Sequence, residues 1–190
     1  MEAANLFELF RMFRGDKTGV SRTRQRFWIF YAGPENYLNE YGERDFLGEM
    51  LWSCEPETRA GDLALLYRKS INHLSTGTLM RKFSMTREAA EDVKRREIGK
   101  DISAVWKVTS GNLGPFSPWP ASCCVRQLRR LDPPLKFDEL KKVRALWGWD
   151  GFRSNLRASG RGALEIPPYA WEVLKGIIET KYGFTMGEER

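Results

Sequence analysis

The sequence predicts an α+β domain of short strands with helices at its ends and between strands. Three observations carry this: aromatic and β-branched runs stopped by Gly and Pro, helical apolar spacing at both ends, and a charged helix-patterned excursion between strands. With 190 residues, 42% apolar and 13% aromatic, the chain buries one substantial core, so one domain with decorations is expected.

Leu6, Leu9, Phe10 and Phe13 recur at helical spacing, which predicts an amphipathic helix followed by a polar, basic arm as far as residue 25. RFWIFYA, from Arg26 to Ala32, reads as a buried first strand closed by Gly33-Pro34. The acidic stretch after it reads as a short helix and loop around Tyr37 to Asp45. Asp62 to Tyr67 reads as the second strand. Ile102 to Val108, with Ile102, Ala104, Trp106 and Val108 on one face, reads as the third.

Between those strands, residues 70–100 form a long excursion. Its segment from Thr86 to Ile98 has only Ala89, Ala90 and Val93 as an apolar stripe, which predicts an exposed helix on the sheet. Gly111 to Pro120 is saturated with turn residues yet carries Phe116 and Trp119, and it leads into a basic fourth strand, SCCVRQLRRLD. Asp138 and Glu139 open a short helix with Lys141, Lys142 and Arg144 towards its end, as the macrodipole favours. The last helix follows Pro167-Pro168, aligns Trp171, Leu174, Ile177 and Ile178, and stops by Gly183, leaving residues 184–190 as a tail.

The net charge of +6 points to a polyanionic partner, because phosphate-binding surfaces use Lys and Arg to displace counterions. The charge is segregated along the chain. Arg11, Arg14, Lys17, Arg22, Arg24 and Arg26 precede Glu35, Glu40, Glu43, Asp45, Glu49, Glu55 and Glu57, which predicts a bipolar surface.

Cys54, Cys123 and Cys124 make no disulfide framework and favour a reducing, cytoplasmic compartment. The single histidine, His73, has no metal-ligand spacing with them, so neither a metal site nor another cofactor is expected. No apolar run reaches the roughly 18 residues of a membrane span. His73 has no nucleophile motif around it, and STGTL lacks the lysine of a P-loop, so no catalytic residues are assigned.

The order of these elements resembles the EVE domain, a member of the PUA-like superfamily that includes the YTH and ASCH domains. The resemblance covers Phe27 to Ile178, within an expected domain of residues 26–183. It runs through FWIFYAGPENY, WSCEPETRAGDLALLY, ISAVWKVTS, a loop with Trp119 before a basic strand, Pro134, LRASGRGALEI and a closing helix with Trp171. Where the family shows Lys-Thr-Glu-Pro the chain has Tyr-Ala-Gly-Pro, and Trp52-Ser53-Cys54 replaces an Asn-rich stretch. The resemblance implies a PUA-like curved mixed β-barrel with flanking helices, whose pocket receives a flipped or single-stranded base of DNA or RNA.

Holding an unstacked base takes flat apolar faces, polar groups for its edge and cations for flanking phosphates. The resemblance makes Trp28, Trp52 and Trp119 the candidate cage, although each also fits a core position. Ser53, Cys54, Tyr31 and Tyr67 are candidates for the base edge. Arg153, Arg157 and Arg161, in a Gly/Ser loop, and Arg126 on the fourth strand are candidates for phosphate, with simple solvation as the alternative. Trp106, Trp147 and Trp171 read as core.

The expected function is therefore a nucleic-acid reader, plausibly of a modified base, acting with a separate effector subunit. A hydrolase of modified nucleosides would recruit Lys69, Glu49 and Glu55. An adaptor would use the first helix and the excursion. The sequence leaves oligomeric state open.

Overall fold

The computed structural model describes residues 25–115, 121–156 and 162–186. The expected first helix and nearly all of the basic arm lie outside the described residues, as do Phe116, Trp119, Arg157 and Arg161.

The described strands are β1 (Phe27–Ala32), β2 (Leu38–Asn39), β3 (Gly42–Glu43), β4 (Glu49–Ser53), β5 (Leu63–Arg68), β6 (Asp101–Ser110), β7 (Ser122–Lys136) and β8 (Ala163–Glu165). The helices are α1 (Pro34–Tyr37), α2 (Thr76–Phe83), α3 (Arg87–Arg95), α4 (Phe137–Leu140), α5 (Asp150–Arg153) and α6 (Pro168–Tyr182). A six-stranded sheet runs in the order β4-β7-β6-β5-β1-β8, while β2 and β3 pair separately. Only β1 and β5 are parallel, so the sheet is mixed as expected.

The sheet curls because β6 and β7 are long and irregular: their register shifts at Ile102/Ala104, Val105/Trp106 and Val108/Ser110. Each shift bends the strand and increases its twist. The first of them turns Ile102 to the opposite face from Ala104, Trp106 and Val108, which corrects the single face read from the sequence.

The curl divides the core. Inside lie Trp28, Phe30, Trp52, Ala64, Trp106, Cys123 and Val125; outside, Ile29, Leu65, Val105 and Leu135 are covered by the helices α4 to α6. Every residue of β5 is buried because it is packed on both faces, which explains the unbroken apolar run LALLY. Trp171 of α6 stacks on Phe27 at 4.2 Å. The cap of α6 follows its sequence, with Pro168 at the start and Gly183 left-handed at φ 64°.

The excursion closes one end of this interior. Ser75 caps α2 by accepting from the Thr78 N–H, and Thr86 caps α3 by accepting from the Ala89 N–H, each at 3.1 Å. Leu79, Met85, Ala90, Val93 and Ile98 then enter the inner core, so the excursion is a plug with a polar outer face rather than a helix resting on the sheet.

Beneath the plug sits a buried ionic cluster. Asp101, fully buried, accepts from Arg68 Nε at 2.7 Å and Nη2 at 3.0 Å, and from the Gly99 N–H at 3.2 Å. Arg68 also reaches Glu43, which pairs with Arg96 at 2.8 Å and Arg130 at 3.2 Å. Burial alone would lower the Arg68 pKa; the hydrogen bond and charge of Asp101, with those of Glu43, outweigh it and raise it. Glu43 and Asp45, from the acidic stretch, are thus met by Arg68, Arg96 and Arg130, while the basic block that precedes that stretch lies, Arg26 apart, outside the described residues.

Substituting Arg68→Ala removes the two-pronged partner of fully buried Asp101, leaving it Lys136 at 3.3 Å and the Gly99 N–H, and is expected to cost about 3–5 kcal/mol in urea unfolding. A loss below about 1 kcal/mol would show that the cluster is peripheral to folding.

Candidate functional site

The edges of the curled sheet, β4 and β8, meet where β4 ends. The ideal Cβ of a residue at Gly162 would lie 2.8 Å from the Cys54 carbonyl oxygen, so only glycine lets the two backbones approach this closely. Beside it the Ala163 N–H donates to Glu55 Oε1 at 3.2 Å. The Cys54 N–H donates to Ala121 O at 3.2 Å, and the Ser122 hydroxyl donates to Gly114 O at 3.0 Å. Ser53, Cys54 and Glu55 therefore form a seam met by Ala121, which follows segment 116–120, and by Gly162, which follows segment 157–161.

Behind the seam lies an aromatic trio. Trp52 meets Trp106 edge to face at 4.8 Å, and Phe46 contacts both at 6.0 and 5.3 Å. The Trp52 and Trp106 indole N–H groups are buried and meet no hydrogen-bond partner among the described residues. Leaving such a donor unmade costs about 1–3 kcal/mol.

The Cys54 and Cys123 side chains hydrogen-bond to each other in the same interior. That bond lowers the Cys54 pKa against the effect of burial, with help from Thr58, and the same bond together with burial pushes Cys123 up.

Trp28 shares this interior but its donor is committed. Its indole N–H reaches Asp62 Oδ2 at 2.9 Å, and Asp62, 3% exposed, also accepts from the Arg26 and Arg59 N–H groups at 3.0 Å. The Gly-Asp before β5 is thus an anchor for the start of β1.

The structure brings Trp28, Trp52 and Cys54 into one core with Ser53 at its edge, and it sets Tyr31 and Tyr67 apart. The two tyrosines face the outer layer, meeting edge to face at 6.1 Å, and burial pushes the Tyr67 hydroxyl up to about 12 and raises Tyr31 as well. Arg126 alternates with interior Val125 and so points outward, lining a cleft of about 640 Å³ with Lys107, Thr109 and Glu49. Arg153 is exposed and paired with Asp150. Arg130 is taken by Glu43 and Asp45.

Trp106 and Trp171 are core, as read, at 0% and 2% exposure. Trp147 is not: it is 53% exposed, because its indole N–H is held by Lys141 O at 3.0 Å on a surface turn. The groups named for hydrolysis do not gather. Glu49 accepts from the Thr109 hydroxyl, Glu55 holds β8, and Lys69 follows the far end of β5.

Sequence reasoning missed β4 as a strand, and with it the seam. β4 is an edge strand in which only Trp52 is fully buried, so its alternation is faint. The roles of Glu55 and Gly162 come from a contact across more than a hundred residues and have no local signal.

No family model matches the chain, and no curated protein matches it. Among solved structures, Atu2648 from Agrobacterium tumefaciens is similar at a TM-score of 0.50 and 9% identity, over 86% of this chain and 96% of that one. The chain has the PUA-like fold. That likeness, with the mixed curled sheet, bears out the architecture expected from the EVE resemblance. Rpa0253 from Rhodopseudomonas palustris follows at 0.48 and 10% identity, over 82% of this chain and 94% of that one. Human THYN1, solved with 5-methylcytosine-containing DNA, has a TM-score of 0.44 and 11% identity, over 82% of this chain and 98% of that one. Among the described residues no helix is long and apolar enough to cross a membrane.

Gly162→Val drives a side chain into the Cys54 backbone. It is expected to cost about 1–3 kcal/mol, read as a lower unfolding temperature. An unchanged temperature would mean that the seam opens freely.

Proposed function

We propose that this chain is a nucleic-acid reader that seats an extruded or single-stranded modified base at the seam between β4 and β8. The observation that carries the reading is the meeting of Ala121 and Gly162, which follow the two segments, with Ser53, Cys54 and Glu55, backed by two indole donors without acceptors among the described residues. Trp119 stands two residues before Ala121, and Arg161 directly precedes Gly162. The proposal assigns the aromatic face to Trp119 and a flanking cation to Arg161.

In this reading Trp52 and Trp119 replace the stacking that the base loses, worth about 1–3 kcal/mol per base. The Ser53 hydroxyl and the indole donors meet acceptors on its edge, and Cys54 lies beside them. Arg153, Arg157, Arg161 and Arg126 are assigned to the flanking phosphates, Arg153 by exchanging its Asp150 partner. Catalysis is not part of the proposal, since Lys69, Glu49 and Glu55 are held apart.

Tryptophan fluorescence titrations test this with matched DNA and RNA oligonucleotides, single- and double-stranded, with and without methylated or hydroxymethylated bases. At two salt concentrations the protein is expected to prefer one modified oligonucleotide by about tenfold or more, and Ser53→Leu is expected to abolish that preference. Equal affinity for all, erased by salt, would reduce the protein to a basic surface and overturn the reading.

A further inference from the structure

A second surface, away from the seam, has the chemistry of a strand-binding platform. Trp147 and Tyr169 are exposed at 53% and 49%, and the Tyr169 hydroxyl lies 3.6 Å from the ideal Cβ position of Gly148, so the two aromatics flank one glycine. Trp147 is held, not loose. Its indole N–H is bonded to Lys141 O at 3.0 Å, and its backbone N–H to Arg144 O at 3.0 Å. The turn that carries it is anchored by buried Leu140, Leu146 and Trp149. With the polar handle satisfied inside the protein, the exposed part of the indole is apolar ring.

The cations beside it are available. Three nearby acids are already matched, Asp138 by Lys100 and Lys141, Glu139 by Lys181, and Asp150 by Arg153, which leaves Glu172, one turn after Tyr169, as an exposed acid against two cations. Lys142 and Arg144 are exposed and make no ion pair among the described residues. A fixed exposed indole, an exposed phenol ring and two cations outside any ion pair among the described residues offer what a flexible polyanion with flat bases needs: stacking faces and phosphate partners. A protein partner would gain from the aromatics alone; the unmatched charge favours the polyanion.

We infer that Trp147, Tyr169, Lys142 and Arg144 form a second nucleic-acid contact, which stacks bases of the single strand beyond the one read at the seam. It rests on the reader proposed above. It raises affinity for any sequence and leaves base preference to the seam.

Fluorescence anisotropy with a labelled 15-nucleotide single-stranded DNA, with and without 5-methylcytosine, tests this on the full chain. Trp147→Ala is expected to weaken binding of both oligonucleotides by about 5- to 150-fold, with their affinity ratio unchanged, and Trp147→Phe to restore most of it. Lys142→Ala with Arg144→Ala changes only exposed side chains, so it decides the matter if Trp147→Ala fails to fold. That double variant is expected to flatten the salt dependence by about 1.4 in slope.

Unaltered affinity and slope in these variants would overturn the inference while leaving the seam reading intact. Loss of binding in Trp147→Ala, in a protein that never distinguishes the two oligonucleotides, would uphold the platform and overturn base reading. No binding by the unaltered protein would overturn both.

Discussion

The structure depends on the closure of one curled sheet. Six strands with successive bulges bend until the end of β4 touches the start of β8, and that contact is made by an approach only Gly162 permits and by one carboxylate, Glu55, on one backbone N–H. A full ladder between the edges would seal the barrel. A seam held by a few polar contacts leaves backbone and side-chain groups of Ser53 to Glu55 beside an aromatic interior, which is where a planar ligand gains most from burial. Fold and site are thus two aspects of the same closure.

The two ends of the interior are built differently. At the far end, α2 and α3 drive Leu79, Ala90 and Val93 into the core, and the Arg68–Asp101–Glu43 cluster satisfies every charge it buries. Such clusters are weak contributors to stability when intact but very costly to break, so this end is fixed in geometry. At the seam end, Asp62 gathers three donors to set β1, yet Trp52 and Trp106 keep donors that meet no partner among the described residues. One end spends its polar groups on the fold and the other holds them in reserve.

Much of this was legible in the sequence because its signals are local. FWIFYA is punctuated by Gly-Pro, LALLY is apolar on both faces, and α6 begins at Pro168 and ends at Gly183, so these elements were read with nearly their observed limits. The plug was only half legible. The α3 stripe was seen, but the Ser75 cap and α2 were hidden in a stretch whose helical partner faces are set by the barrel end. Tyr31 and Tyr67 were grouped with Trp52 by their place at strand ends, and strand alternation, which depends on where β1 and β5 begin, turns them to the other core. Trp147 was read as core because a large aromatic usually is; the turn that exposes it depends on the Lys141 carbonyl.

The central claim is that a base is read at the seam against Trp52, and the indole N–H resonances of Trp52 and of Trp106, which it meets edge to face, report on it directly. In a ¹⁵N-labelled sample titrated with a modified oligonucleotide and its unmodified twin, the account predicts that both indole signals shift with the modified strand and follow its binding curve. Saturable binding that leaves both signals in place would contradict it.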